Sequence, residues 1–359
     1  MLMSKKVGIL TAGAWGTAVG KVLADQGNQV QLFDVRTDVV EEINAKHVNS
    51  RYLLGIDLPE SVSATLDIEE VASGKDFLIL VVPSMYLLDI VKRLRVVGDI
   101  MEGKPVIGVL TKGFIDTGRG PRPLLEVLEE HLPGFYRDAL VYISGPSHAE
   151  EVGMGKVTGL IVASRSGKNA VRFRNLLAGP VFIPFPSFDV VGVQTCAAVK
   201  NVIAIAFGIL DALTELTKRF GDNTESLLLA AGLNEIQALG RALGAEYPET
   251  FTSIAGVGDL DVTCRSRYGR NRRFGREIVQ SHLLEGFRDL EDLIDRIDAV
   301  GYLPEGAAAC KHVHVLASRH GLKLPISDGI YRVLNKEVGP VEEVSRMLES
   351  MTKSSEGQL

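Results

Sequence analysis

A strand, a glycine-bearing turn and a helix occupy the first 26 residues, and this unit constrains the fold more than any other feature. Val7–Leu10 is a short apolar run, Thr11-Ala12-Gly13-Ala14-Trp15-Gly16 follows, and Trp15–Gln26 has helical spacing. A helix entered this way offers its unpaired N–H groups to an anion. The three glycine positions of a G-x-G-x-x-G dinucleotide turn are held here by Thr11, Gly13 and Gly16. Gly13 would let the backbone approach a pyrophosphate, and Gly16 would let helix pack on strand. Thr11 replaces the first glycine, so a tightened or distorted turn is expected. An incomplete turn of this kind also occurs in α/β proteins that bind no nucleotide.

Asp34 closes the next strand, Gln29–Phe33, where a carboxylate can accept from adenosine ribose hydroxyls. It also fits an ordinary turn. Arg36, two residues on, would suit a 2′-phosphate. The balance favours NAD(H), with NADP(H) as the alternative.

The expected fold class is α/β: a Rossmann-like parallel-sheet domain over 1–188, then an all-helical domain over 189–351 and a polar tail over 352–359. Strands are expected at Phe77–Val82, Val106–Leu110, Leu140–Ser144, Leu160–Ser164 and Val181–Pro184, with helices at Val39–Asn44, Leu87–Leu94 and Pro121–His131. After Ser187 only helical patterns remain. Pro180, Pro184 and Pro186 predict that regular structure breaks at this boundary.

Lys200 lies in Gln194–Ala206, a helix apolar almost all round. Such a helix is buried, and a buried ammonium needs a partner. A partly desolvated lysine suits proton transfer in carbonyl chemistry. The competing reading is a lysine that snorkels to the surface. The candidate partner is Asp259, in Gly256-Val257-Gly258-Asp259, with Thr263 as a further donor or acceptor; Asp259 could equally cap a surface helix.

Arg265–Arg276 holds six arginines. With 39 basic against 45 acidic residues the net charge is −6, so nucleic acid is not expected as a partner. Arginine pairs bidentately with phosphate, which points to a small phosphorylated substrate. The turns Val82-Pro83-Ser84, Thr111-Lys112-Gly113 and Gly145-Pro146-Ser147-His148-Ala149-Glu150 each follow a strand, at the edge where open sheets bind ligands. Three scattered cysteines form no zinc or disulfide pattern, so no metal and a reducing compartment are expected. The longest apolar run, 201–210, is bracketed by Lys200 and Asp211, and no integral membrane segment is expected. The N-terminal run is too short for a signal peptide, so the expected location is the cytoplasm.

Taken in order, these motifs resemble the NAD(P)-dependent glycerol-3-phosphate dehydrogenase family over nearly the whole chain. Ala12–Ala18, Val82–Ser84, Thr111–Gly113, Gly145–Glu150, Val199–Val202, Ala255–Leu260, Thr263-Cys264, Arg270–Gly275 and Leu303–Gly306 carry the likeness. The resemblance implies reduction of dihydroxyacetone phosphate to sn-glycerol 3-phosphate for glycerophospholipid synthesis. It implies Lys200 as catalytic residue, assisted by Asp259. Lys112, Gly145, Ser147, Thr263, Gly269, Arg270 and Asn271 would line the substrate. Gly13, Ala14, Trp15, Gly16, Asp34, Arg36, Pro83, Lys112, Ala149, Arg270, Leu303 and Glu305 would line the dinucleotide. A homodimer is compatible with it.

The chain departs from the family pattern at Thr11, at Gly269 where serine is usual, at Cys196 and Ala197, at Glu225 where a basic residue is common, and at Ala231. An insertion lies within Leu213–Phe220. A related reductase acting on another phosphorylated or 2-oxo substrate, or a non-catalytic dinucleotide sensor, are the rival readings.

Overall fold

The computed structural model describes residues 4–266 and 268–354, with side chains to Met347. One unit comprises residues up to Ile115 and Arg122–Gln194; a second comprises Asp116–Pro121 and Thr195 onward. The strands are β1 (Lys6–Leu10), β2 (Gln29–Phe33), β3 (Val62–Thr65), β4 (Phe77–Leu80), β5 (Val106–Val109), β6 (Phe114–Thr117), β7 (Gly120–Pro123), β8 (Val141–Ser144), β9 (Thr158–Ala163) and β10 (Phe182–Ser187). The helices of the first unit are α1 (Ala14–Asp25), α2 (Thr37–Lys46), α3 (Ile68–Ala72), α4 (Ser84–Leu94), α5 (Gly98–Met101), α6 (Leu124–His131), α7 (Ala149–Gly153) and α8 (Gly167–Leu177).

Eight strands form one sheet in the order β10-β9-β8-β5-β4-β1-β2-β3. From β3 to β8 the strands are parallel. Residues of β4, β5 and β8 are buried throughout, as strands covered on both faces must be. The order reverses at β1, which lies between β2 and β4. Open sheets bind ligands at such a switch point.

The expectation of a parallel sheet fails at one end. β9 is antiparallel to β8, and β10 follows β9. Between β8 and β9 the only helix is the five-residue α7. It rises roughly 7.5 Å, too little to carry the chain back along the sheet for a parallel crossover.

The expected break at 180–189 is also corrected, because Pro184 and Pro186 lie inside β10. The bonds to β9 fall on Val181 and Ser187, whose carbonyls accept from Thr158 N and Ser164 N. Even-numbered residues therefore face away from β9. The prolines need no N–H there, and an edge strand tolerates them.

The second unit is built from α9 (Val190–Leu216) from Thr195 onward, α10 (Asp222–Ala242), α11 (Glu249–Thr252), α12 (Asp259–Arg265), α13 (Arg270–Gln280), α14 (Leu290–Asp295), α15 (Glu305–His320), α16 (Pro325–Leu334) and α17 (Pro340–Ser354). It is helical except for the tip of the β6–β7 hairpin. There Arg319 Nη2 donates to the Arg119 carbonyl at 2.7 Å. α9 is long and apolar enough to cross a membrane, but its most apolar stretch is wholly buried. The expected polar tail starts inside the last turn of α17, and residues 355–359 lie outside the described residues.

Candidate active site

The glycine-bearing turn is held by buried polar bonds. Ala12 N donates to Phe33 O, fixing the turn to the end of β2. The Ala12 carbonyl accepts from Thr17 Oγ1 at 3.1 Å and from Asn49 Nδ2 at 2.8 Å. Asn49 Nδ2 also donates to Thr17 Oγ1. Asn49 is fully buried; a lone asparagine in a loop gave no sequence signal for this role. A Cβ on Gly16 would stand 2.0 Å from Thr11 O, so only glycine lets α1 sit this close. At Gly13 the nearest atom would be Thr11 Oγ1, at 3.6 Å, so the approach above it is open. Gly13 caps α1 without a side-chain hydrogen bond, leaving the first-turn N–H groups for an anion. These features fit a pyrophosphate. Thr11 stands at the first glycine position without a positive φ.

Trp15 is half-buried and meets Phe182 edge-on, with ring centroids 6.2 Å apart. Asp34 is buried, and Oδ1 accepts from Arg36 N at 3.0 Å. Burial pushes its carboxyl above the usual range. The Arg36 side chain turns instead to Asp38, donating from Nε and Nη2 at 3.1 Å each.

Pro83, Lys112 and Gly145 all follow carboxyl ends of parallel strands, as expected. Thr111 Oγ1 donates to Val82 O at 2.6 Å, and Tyr142 OH donates to Thr111 O at 2.9 Å. Tyr142, buried in β8, thus steadies the turn that carries Lys112; its apolar surroundings in sequence concealed that role. Gly113 and Gly145 have φ of +125° and +137°, which favour glycine. Ser147 Oγ donates to Gly145 O at 2.8 Å, and Ala149 opens α7. These residues belong to the first unit.

Lys200 does not snorkel. It is 4% exposed, and its Nζ donates to Asp259 Oδ1 and, at 2.8 Å, to Thr263 Oγ1. Thr263 in turn donates to the Asp259 carbonyl at 2.6 Å. Asp259 is fully buried and helical, so it is not a surface cap. A wide π-helical turn, Ile254–Gly258, delivers it. A Cβ on Gly256 would stand 2.0 Å from Phe251 O, so the turn packs at backbone contact.

Gly306 lies against α9 one residue beyond Lys200, where a Cβ would stand 2.6 Å from Asn201 O. Gly306 N donates to Asn271 Oδ1 at 2.9 Å. This bond ties the first turn of α13 to that of α15 and gathers Asn271, Glu305 and Gly306 beside α9. Leu303 and Glu305 are half-buried.

The arginine cluster resolves into distinct roles. Arg265 pairs with Asp261 and Glu225, Arg272 with Asp211, Arg273 with Glu277, and Arg276 with Glu215. Arg270 is exposed and has no ion-pair partner among the described residues. Arg267 lies outside the described residues. Two departures from the family pattern acquire reasons here. Glu225 answers Arg265, and a Cβ on Gly269 would stand 2.9 Å from Thr263 O, leaving little room for serine. Among the described residues no group of three or more His, Cys, Asp or Glu is placed to hold a metal.

A dinucleotide-type sheet joined in one chain to a helical unit with a buried lysine–carboxylate pair defines a nicotinamide-dependent dehydrogenase architecture. The family model described as NAD-dependent glycerol-3-phosphate dehydrogenase N-terminus matches residues 6–170, and its C-terminus counterpart matches 189–345. A glycerol-3-phosphate dehydrogenase (NAD(P)+) of Treponema denticola is 51% identical over 357 residues, covering 98% of this chain and all of that one. One from Treponema pallidum is 52% identical over 343 residues, covering 93% and 96%. The crystal structure of glycerol-3-phosphate dehydrogenase from Coxiella burnetii is 34% identical, with a TM-score of 0.83 over 96% of this chain and 99% of that one. The chain belongs to the NAD-dependent glycerol-3-phosphate dehydrogenase family.

Proposed function

We propose that this chain reversibly reduces dihydroxyacetone phosphate to sn-glycerol 3-phosphate with NAD(P)H, supplying glycerophospholipid synthesis. The observation that carries this reading is the ammonium of Lys200, buried in an apolar helix and held by Asp259 and Thr263. A dinucleotide bound at the Gly13–Gly16 turn supplies the hydride. Lys200 supplies the proton: as C2 of the ketose gains hydride, its oxygen takes H+ from Nζ and the carbonyl becomes a secondary alcohol. Asp259 keeps Lys200 protonated and aimed before transfer, which lowers the reorganisation required. Arg270, which makes no ion pair among the described residues, holds the phosphate. Asn271 contributes its amide N–H groups, since its carbonyl is engaged by Gly306. Lys112, Gly145 and Ser147 complete the substrate set, and Trp15, Asp34, Pro83, Ala149, Leu303 and Glu305 the dinucleotide set.

The test is NADH oxidation across a panel of ketose phosphates and 2-oxo acids. Turnover with dihydroxyacetone phosphate well above all others is expected. Dinucleotide binding without turnover would overturn the assignment. The cytoplasm is part of the same reading, supported by three buried thiols with no disulfide. So is a homodimer, for which exposed Ile183, Phe185 and Phe188 offer apolar surface. A single-chain mass in sedimentation would remove the dimer.

A further inference from the structure

The region beyond β2 contains an ion cluster that the reaction does not use. Arg36 donates to both oxygens of Asp38, at 3.1 Å each. Arg51 Nη1 stands 3.9 Å from Asp38 Oδ2. One carboxylate therefore lies between two guanidinium groups. Arg51 reaches it from another segment, but that segment is fixed at several points. Ser50 N and Oγ donate to the Glu42 carboxylate on α2 at 2.9 and 3.0 Å. Asn49 is bonded to Ala12 of the glycine turn. Ala12 N is bonded to Phe33 O, next to Asp34. Backbone and side-chain bonds thus link the two arginines, Asp38, the end of β2 and the dinucleotide turn in one closed circuit.

The end of β2 is where a dinucleotide fold reads the adenosine ribose, and an arginine there accommodates a 2′-phosphate. Two converging guanidinium groups form a phosphate-binding fork. Here the fork is already filled by a carboxylate. The Arg36 guanidinium holds the Asp38 carboxyl below its usual range, so Asp38 remains anionic at neutral pH.

We propose that Asp38 sets the cofactor specificity of this chain: its carboxylate occupies the anion position between Arg36 and Arg51 that the 2′-phosphate of NADP(H) would take. This rests on the dehydrogenase reading for its dinucleotide but not for its substrate. Asp38 acts through the arginines and is a positioning residue. A 2′-phosphate must displace it and then bears its repulsion, whereas the free 2′-hydroxyl of NAD(H) does neither. Asp34 excludes the phosphate by a separate route, as a ribose acceptor deeper in the turn.

The experiment measures dissociation constants for NADH and NADPH by nicotinamide fluorescence, with no ketose present. The readout is the ratio Kd(NADPH)/Kd(NADH). In Asp38→Asn the ratio should fall about three- to fivefold, the range for releasing an exposed ion pair. The fall should shrink as salt is raised. Asp38→Glu should keep the wild-type ratio, and Asp38→Asn/Arg51→Ala should lose part of the gain. All three positions are exposed, and thermal denaturation checks that each variant folds. An unchanged ratio in Asp38→Asn overturns the proposal, as does a full gain without Arg51. A wild type that binds NADH but does not oxidise it with dihydroxyacetone phosphate overturns the proposed reaction and leaves this inference standing.

Discussion

Gly208 of α9 and Gly275 of α13 meet backbone to backbone. A Cβ on Gly208 would lie 1.9 Å from Arg272 O, and one on Gly275 would lie 2.1 Å from Ile205 O. The contact fixes the distance between the helix that carries Lys200 and the helix that begins with Arg270-Asn271. Gly275→Ala is therefore expected to force the helices apart and cost at least ~2 kcal/mol, within the range for overpacking. Urea denaturation reads this as a lower midpoint at constant slope. A midpoint equal to wild type would show that the crossing is soft.

Replacing Lys200 separates chemistry from stability. Lys200→Met should lower kcat by ~10² or more and also destabilise the fold by about 3 kcal/mol, because the buried Asp259 carboxylate loses the opposite charge of the ammonium. Lys200→Met/Asp259→Leu should recover much of the stability and none of the turnover. Steady-state kinetics and denaturation on both variants check this. Recovery of turnover in the double variant would remove Lys200 from the proton-transfer step.

Arg270 should behave in the opposite manner. It is exposed and supports no ion pair among the described residues, so Arg270→Ala should leave the denaturation midpoint in place. KM for dihydroxyacetone phosphate should rise about tenfold or more, as for a lost hydrogen bond to a charged group. KM for unphosphorylated dihydroxyacetone should change little. Equal damage to both substrates would assign Arg270 a different role.

A buried carboxyl in the helical unit predicts a pH effect on stability. Glu235 on α10 accepts from Ile326 N, Ser327 N and Ser327 Oγ at the start of α16. Burial raises its pKa to about 7. The folded state thus holds this proton more tightly than the unfolded chain. Its stabilising contribution is complete below pH ~4.5, declines between ~4.5 and ~7, and is lost above that. Midpoints measured at pH 5, 6, 7 and 8 should fall toward 7 and then flatten. In Glu235→Gln that slope should disappear. A slope of equal size in the variant would place its origin in other groups.

How much of this was legible in the sequence depends on the range of the interaction. β2 was bounded correctly from Gln29 to Phe33 because a purely local pattern defines it. The Lys200–Asp259 pair was a candidate because an isolated cation in an apolar helix requires an anion. The reversal at β9 was hidden because strand direction depends on how far α7 carries the chain. β3, with the sequence Val-Ser-Ala-Thr, presents too little apolar pattern to mark a strand. The division of labour among the arginines was equally hidden. Asp211, Glu215 and Glu225 reach them from α9 and α10, and spacing alone does not pair them, whereas Glu277 stands four residues beyond Arg273 on α13. Glu235 gave no local sign, since its partners are about ninety residues away.

The prolines of β10 have a consequence during synthesis. β10 is the last strand among the described residues, and its Phe182, Ile183 and Phe185 are of the kind that self-templating segments carry, interrupted here by Pro184 and Pro186. With nitrogens that cannot donate on the outward side, a second polypeptide laid along this edge finds carbonyls without the matching N–H groups. Nascent chains emerging side by side on neighbouring ribosomes are thereby denied a ladder on which to join. The sheet terminates at β10 through the chemistry of two residues and needs no covering element on that side.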